Sequence, residues 1–387
     1  TFRDAGYQTQ CIGKMHVYPA RKRLGFDHVT LHDGYLHVDR HYDGAYGASF
    51  EQSSDYLKFL KAQLGPQADL MDDGLNCNSW MARPWPYAEA LHPSNWLVTE
   101  AIEFLKTKDP TVPFFLKLSF EKPHSPFNPP QYYFDMYYQL LGQDWDRHLG
   151  DWEQLVDAVP SIDSKKGRLK PDDQRRLLAG YYGLVTHLDH QISRFLTALE
   201  EFGHAQDTLF WFVSDHGDQL GEHDLFRKGY PYHHTIPQLV KIQDIFPSLV
   251  DLVLGQQVAT DGRSVRQLLL GQIDGWRTDI HGEHVLGQDS SQFVLNERYK
   301  LIWYPVQDRY QLFDYVADPY EQVNLYDQTD YAPVVLELTQ KLVTYLANRE
   351  EGFVADGRLV ARPLSALVTT LAAARRGDVM GYPRQEG

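Results

Sequence analysis

The sequence predicts an α/β fold: a large, mostly parallel sheet sandwiched by helices, followed by a smaller C-terminal subdomain of antiparallel strands and a helix. Two short apolar runs, residues 112–120 (VPFFLKLSF) and 208–213 (TLFWFV), read as strands covered on both faces. Helical periodicity lies between them, and strand, helix, strand in that order is the signature of a parallel sheet with helices on its faces. Near the end of the chain the pattern changes to short strand candidates separated by turns.

The elements follow in order. Residues 2–7 (FRDAGY) read as the tail of a helix already under way, so a preceding segment is expected. Residues 94–106 place Leu97, Ala101, Ile102 and Leu105 on one helical face. Residues 171–202 carry Leu177, Tyr181, Leu184, Val185, Leu188, Ile192, Phe195, Leu196 and Leu199 at steps of three and four, with Gly203 as a stop. That stretch reads as one long helix or two. Residues 293–295, 300–304 and 310–313 form a predicted meander, a helix spans about 334–349, and residues from 352 on read as a surface arm. The expected boundary lies between 285 and 286.

The chain has 387 residues, 43% apolar and 23% charged, which is ordinary globular usage. Its formal charge of −15 argues against a nucleic acid as partner, because the bulk field repels a polyanion. No run approaches the ~18 apolar residues that a membrane helix needs. The two cysteines, Cys11 and Cys77, are too few for a disulfide scaffold and read as buried thiols.

Four clusters carry candidate chemistry, each with a plainer reading beside it. Lys14 and His16 follow a strand and project to one side, suited to holding an anion; equally they are surface charges. His124 sits in a proline-braced loop directly after the first apolar run, placed for general acid work or for a cap. Asp215 and His216 end the second run, with Glu222 and His223 shortly after. They make half of a divalent-metal site, or a helix cap with charged neighbours. Lys228 returns a dozen residues later, over the same site or as a solvated charge.

Taken together and in order, these elements resemble the sulfatase family of the alkaline-phosphatase-like superfamily. The carrying segments are AGYQTQCIGKMH (5–16), PFFLKLSFEKPHSPFNPPQYY (113–133), the stretch 184–232 with its SDHG and GEH…K elements, and YQLFDYVADPYEQVNL (310–325). The resemblance implies an alkaline-phosphatase-like sheet and a metal-dependent sulfuric ester hydrolase acting on a small-molecule or carbohydrate sulfate ester. It implies Asp215 and His216 as ligands of one divalent cation, Ca²⁺ or, because His stands where many sulfatases have Asn, Mn²⁺. It implies Lys14 and Lys228 on the sulfate oxygens, His16 against the nucleophile and His124 as proton donor to the departing alcohol. Arg83, His92 and His223 are further candidates for substrate contact, Arg83 and His92 lying in an aromatic and basic stretch with Trp80, Trp85 and Trp96 that reads either as a pocket rim or as packing. Residues 21–46, rich in His and Tyr, are a second rim candidate.

The chain also departs from the family pattern. The Cys/Ser-x-Pro-x-Arg element that yields the formylglycine nucleophile does not occur, nor do the paired aspartates that precede it. Asp72 and Asp73 lie on the wrong side of the GKMH element to replace them. After Pro237 the strand and glycine-rich loop usual in the family are missing, and His233 stands where relatives often carry Glu. The formylglycine is therefore expected outside these residues, which by themselves are not expected to turn over an ester. Two alternatives remain: a phosphonate monoester or phosphodiester hydrolase on the same scaffold, and an inactive anion-binding relative. The resemblance favours a periplasmic or secreted location without fixing it, and oligomeric state is not legible.

Overall fold

The computed structural model describes residues 1–17, 21–33, 54–142, 145–152, 160–228, 238–284 and 287–363. Three parallel strands carry the N-terminal half: β1 (Gln8–Gly13), β2 (His28–Leu31) and β3 (Phe114–Ser119), in the order β2-β1-β3. The central strand is the most buried, with Cys11 and Ile12 sealed from solvent. All three strands stop at one level, since Gly13 pairs with Leu31 on one side and Ser119 on the other. Three loops therefore leave a single sheet edge, the carboxyl edge where open α/β sheets gather ligands. Gly13 has φ +104°, and a Cβ there would meet the Ser119 carbonyl oxygen at 1.8 Å. Only glycine lets β1 turn off against β3 at that point.

Helices α1 (Asp55–Leu64), α2 (Pro93–Thr107), α3 (Gln131–Leu140) and α4 (Pro171–Glu201) follow. The open question about the long periodic stretch resolves as one unbroken helix of 31 residues. Its ends serve two cores: Phe195 and Leu199 pack with Leu97, Ala101 and Ile12, whereas Leu177, Leu178 and Leu184 pack with Trp80, Phe127 and Phe134. At Gly180 a Cβ would lie 2.4 Å from that of Ala82, so the absent side chain is what lets α4 sit this close.

Residues 208–213 depart from expectation. They form no strand, and Leu209, Phe210, Phe212 and Val213 are exposed. A strand exists only against a pairing partner, and among the described residues nothing is bonded beyond β3 in the sheet. The apolar run is present in the sequence; the neighbour it needs is not among the described residues.

A short hairpin follows, β4 (Gln219–Leu220) with β5 (Phe226–Arg227), then α5 (Ile245–Leu254) and α6 (Arg266–Leu269). The expected meander is a four-stranded antiparallel sheet of β6 (Ile280–His284), β7 (Ser291–Leu295), β8 (Tyr299–Tyr304) and β9 (Arg309–Asp314), covered by α7 (Ala332–Leu346). The sheet thus takes in residues on the N-terminal side of the expected boundary. A last hairpin, β10 (Val354–Ala355) and β11 (Arg358–Leu359), opens the tail.

The DYVADPYEQVNL stretch is structural throughout. The Asp314 carboxylate accepts from Ala317 N at 3.0 Å, that of Asp318 from Val323 N at 2.8 Å, and the Asn324 amide oxygen from Leu312 N at 3.0 Å. Glu321 forms a fully buried ion pair with Lys300. The stretch also holds the loop at 145–152: Asp151 N donates to the Gln322 carbonyl at 2.8 Å and the Trp152 indole to that of Glu321 at 2.8 Å. That loop in turn grips the β4–β5 hairpin, because His223 N donates to the Arg147 carbonyl at 2.7 Å and Arg147 is ion-paired with Asp224. The C-terminal subdomain thereby fixes the hairpin from which Lys228 emerges.

Candidate functional site

The three level strand ends build the site. Directly after β1, the Asp33 carboxylate beyond β2 accepts from Met15 N at 2.5 Å and His16 N at 2.9 Å, and the His16 Nε2–H donates to the Asp33 carbonyl at 3.0 Å. That clamp orients residues 14–16. Lys117 on β3 supports the same turn, its ammonium donating to the Lys14 carbonyl at 3.0 Å. The Lys14 ammonium, only 12% exposed, reaches across to Asp215 Oδ2 at 2.8 Å. Two of the predicted clusters, 201 residues apart in sequence, thus touch.

His124 comes from the loop after β3. Its Nδ1–H donates to the Ser125 carbonyl at 2.8 Å, leaving Nε2 with a lone pair. Glu121 Oε1 lies 3.8 Å from the same Nδ1, and the ring stands edge-on to His216 at 5.8 Å between centroids. Burial holds the His124 imidazole down to about 3, with the Lys228 charge acting in the same direction, so the resting ring is neutral. Lys228 is lowered by burial and by Lys14, opposed by Asp218, Asp215 and Glu121. Lys14, His124, Asp215, His216 and Lys228 therefore share one space, and His16 borders it.

The donor chemistry at 215 and 216 suits a cation. Burial pushes the Asp215 carboxyl up, but the Lys14 hydrogen bond and the His216 and Lys228 charges hold it below the usual carboxylate range. The His216 Nδ1–H is committed to the Gly217 carbonyl at 2.8 Å, and its buried Nε2 has no hydrogen-bond partner among the described residues. An imidazole fixed in that tautomer, 3.7 Å from Asp215 Oδ1, offers a lone pair of the kind a metal takes. Among the described residues no group of three or more such ligands comes together, so these two are half a shell.

The remaining candidates lie elsewhere. His92 is wholly buried as the N-cap of α2, its Nδ1 accepting from Ser94 N at 3.2 Å, with its ring edge-on to His187. Trp80, Trp85 and Trp96 are buried too, so that aromatic stretch is packing and not a rim. The Arg83 guanidinium donates to the Asp73 carbonyl at 2.8 Å. His223 is buried in the hairpin turn, its ring against Trp152 and its backbone N–H on the Arg147 carbonyl. Residues 34–46 of the second rim candidate, and His233, lie outside the described residues.

Sequence reasoning missed Asp33, Glu121 and Asp218. Asp33 lies two residues past the HVTL run of β2, and its place just after a strand end is the signal for it. Glu121 is ion-paired with Lys122 at 3.2 Å and raised by burial. Asp218 is pushed up to about 7 by burial, against the pull of Lys228 and Arg227. A buried carboxylate behind two ammonium groups counters their repulsion, a role no local pattern announces.

Comparisons with known proteins bear on the family and the fold. The family described as Sulfatase matches residues 1–265, and that described as N-sulphoglucosamine sulphohydrolase, C-terminal, matches residues 225–348. An arylsulfatase of Clostridium perfringens is 42% identical over 95% of this chain and 81% of its own length. A multifunctional alkaline phosphatase superfamily protein of Trinickia caryophylli is 28% identical over 65% of this chain and 59% of its own length. The fold is that of the phosphonate monoester hydrolase of Agrobacterium radiobacter, with TM-score 0.68 and 21% identity over 93% of this chain and 83% of that one.

Proposed function

The chain belongs to the sulfatase family of the alkaline-phosphatase-like superfamily, and we propose that the cationic loop ends beyond β1, β3 and β5 are where this sulfuric ester hydrolase binds and cleaves its ester. The observation that carries the assignment is the meeting of Lys14 with Asp215 at 2.8 Å, beside His124, His216 and Lys228.

A sulfate monoester carries one negative charge over three non-bridging oxygens and develops a second on the departing oxygen as the S–O bond breaks. Lys14 and Lys228 supply two ammonium groups to the first, from half-buried positions where such contacts are stronger than in water. His124 serves the second. Its fixed Nδ1–H leaves Nε2 as the atom that carries a proton to the leaving oxygen. Burial and Lys228 hold that ring neutral at rest, and an anion seated on the lysines offsets the cationic part of that effect. His16, held by Asp33, is the residue we place against the nucleophile.

Asp215 and His216 would hold a divalent cation, which when bound adds Lewis-acid polarisation of the sulfate oxygens. Carboxylate plus imidazole suits Mn²⁺ as well as Ca²⁺. The formylglycine of the family does not fit either cysteine here. Cys11 is sealed inside β1 with its thiol raised to about 11 by burial, Cys77 is buried, and neither begins a Cys-x-Pro-x-Arg element. No step is assigned through that group.

His216 favours a second reading, a phosphonate or phosphodiester hydrolase, since an imidazole ligand suits the softer metals such sites use. Rates of the protein together with the preceding segment expected to supply its nucleophile, on 4-nitrophenyl sulfate, 4-nitrophenyl phenylphosphonate and a 4-nitrophenyl phosphodiester, decide between them. The sulfate is expected to be fastest by at least tenfold; a faster phosphonate would replace the reading. His124→Ala is expected to slow poor leaving groups far more than 4-nitrophenol, and equal loss across leaving groups would remove His124 as the proton donor.

A further inference from the structure

Lys228 has further cationic neighbours besides Lys14. Phe226 N on β5 donates to the Lys165 carbonyl at 2.9 Å, and Lys166 bridges Leu225 antiparallel. Residues 165 and 166 therefore run alongside the strand that ends in Arg227 and leads into Lys228. The Lys166 ammonium binds Asp289 Oδ2 at 3.0 Å, in the turn between β6 and β7. The same turn brings up His284, the last residue of β6, paired in register with Ser291. Two separate parts of the chain thus deliver Lys165 and His284 to the flank of Lys228.

The backbone pairing brings these groups close enough for their charges to act on one another. Lys165 is lowered by burial and then by Arg227 and Lys228, with Asp289 as the acid opposing them. His284 is lowered by burial, then by Lys165 and Lys228. Asp289 is already engaged by Lys166 and also accepts from Gln307 at 3.3 Å. Half-buried like charges are thus brought together on a chain whose formal charge is −15, where a random surface patch would be acidic.

We propose that Lys165 and His284, with the charge of Arg227, form a second anion subsite adjoining Lys228, which takes a further sulfate or a carboxylate carried by the same substrate. This rests on the hydrolase reading above and names its substrate class: esters with two anionic groups. The ester sulfate sits between Lys14 and Lys228, and the second anion between Lys228 and Lys165. Each contact on the second anion is a charge-assisted hydrogen bond, for which loss is on the order of tenfold in affinity.

The test is competitive inhibition of 4-nitrophenyl sulfate hydrolysis by the protein together with the preceding segment expected to supply its nucleophile, using inorganic sulfate, a monosulfated hexose, a disulfated hexose and a sulfated hexuronic acid. The doubly anionic sugars are expected to bind at least tenfold more tightly than the monosulfated one, and which of the two leads tells sulfate from carboxylate. In Lys165→Gln and His284→Gln that advantage should fall about five- to tenfold. Lys165→Glu should abolish it and Lys165→Arg should restore it, with circular dichroism checking the fold of each. An advantage below twofold in the wild type, or one that survives Lys165→Glu, overturns the subsite. If the phosphonate proves to be the substrate instead, the sulfate-ester reading fails, and the same inhibition ratios measured against phosphonate hydrolysis still judge the subsite.

Discussion

Gly13→Ala tests how the sheet positions the chemistry. The added Cβ would stand 1.8 Å from the Ser119 carbonyl oxygen, and opening that contact to an ordinary 3.4 Å needs a shift of about 1.6 Å. The oxygen it strikes also accepts from Lys14 N at 2.9 Å, so that hydrogen bond opens with it. Holding alanine at φ +104° costs about 1–3 kcal/mol, and the lost bond about 1 kcal/mol more. The urea midpoint should therefore report a loss of about 2–4 kcal/mol. Because the displaced residue precedes Lys14 directly, kcat/KM on the ester should fall on the order of 10²-fold, the usual consequence of an ångström of misplacement. Gly6→Ala is the control: its φ is +87°, but nothing lies within 4 Å of the new Cβ. It should lose a little stability and keep the kinetics of the wild type. A Gly13→Ala protein with unaltered kcat/KM would refute the claim that the level ends of β1 and β3 set the position of Lys14.

Other outcomes follow from the same physics. His32 and His187 are buried and held down by burial, to about 3 and about 4, so the fold keeps them neutral while the unfolded chain protonates them below its ordinary value near ~6.5. Their stabilisation is complete above that pH and is lost as pH falls toward the folded values, at about 1.4 kcal/mol per pH unit for each; urea titrations between pH 7 and 4.5 should show it, and His187→Leu should flatten the slope. Glu321→Gln leaves the Lys300 ammonium buried without its carboxylate and should cost about 3–5 kcal/mol, whereas Lys300→Met with Glu321→Leu should recover most of it; equal losses in thermal unfolding would contradict the pairing. Asp215→Asn should weaken Mn²⁺ binding to the full chain by at least tenfold in a calorimetric titration, and unchanged affinity would remove Asp215 from the ligand set.

Much of this was legible in the sequence, for identifiable reasons. A continuous apolar run announced β3, although its residues are only partly covered in the structure, and the periodicity of α4 marked a helix that spans two cores. The polar groups at strand ends were legible because parallel sheets gather them there. What failed was whatever depends on a neighbour. Residues 208–213 have the composition of a buried strand, yet lie exposed without a pairing partner among the described residues. Trp80, Trp85, Trp96 and His92 mix aromatic and basic character as a sugar rim does, and only packing reveals them as core. Lys165 and His284 carry no local signal, since they come near the strand before Lys228 only through a hairpin edge and a turn in the antiparallel sheet.

The central claim, that Lys14 and Lys228 grip one oxyanion, is tested most directly by a double-mutant cycle on inorganic sulfate binding. Lys14→Met and Lys228→Met should each weaken binding about tenfold or more, and the double variant should depart from the product of the two by a coupling of at least ~0.5 kcal/mol. Strict additivity, or a variant that binds sulfate as the wild type does, would mean that the two ammonium groups serve separate surfaces.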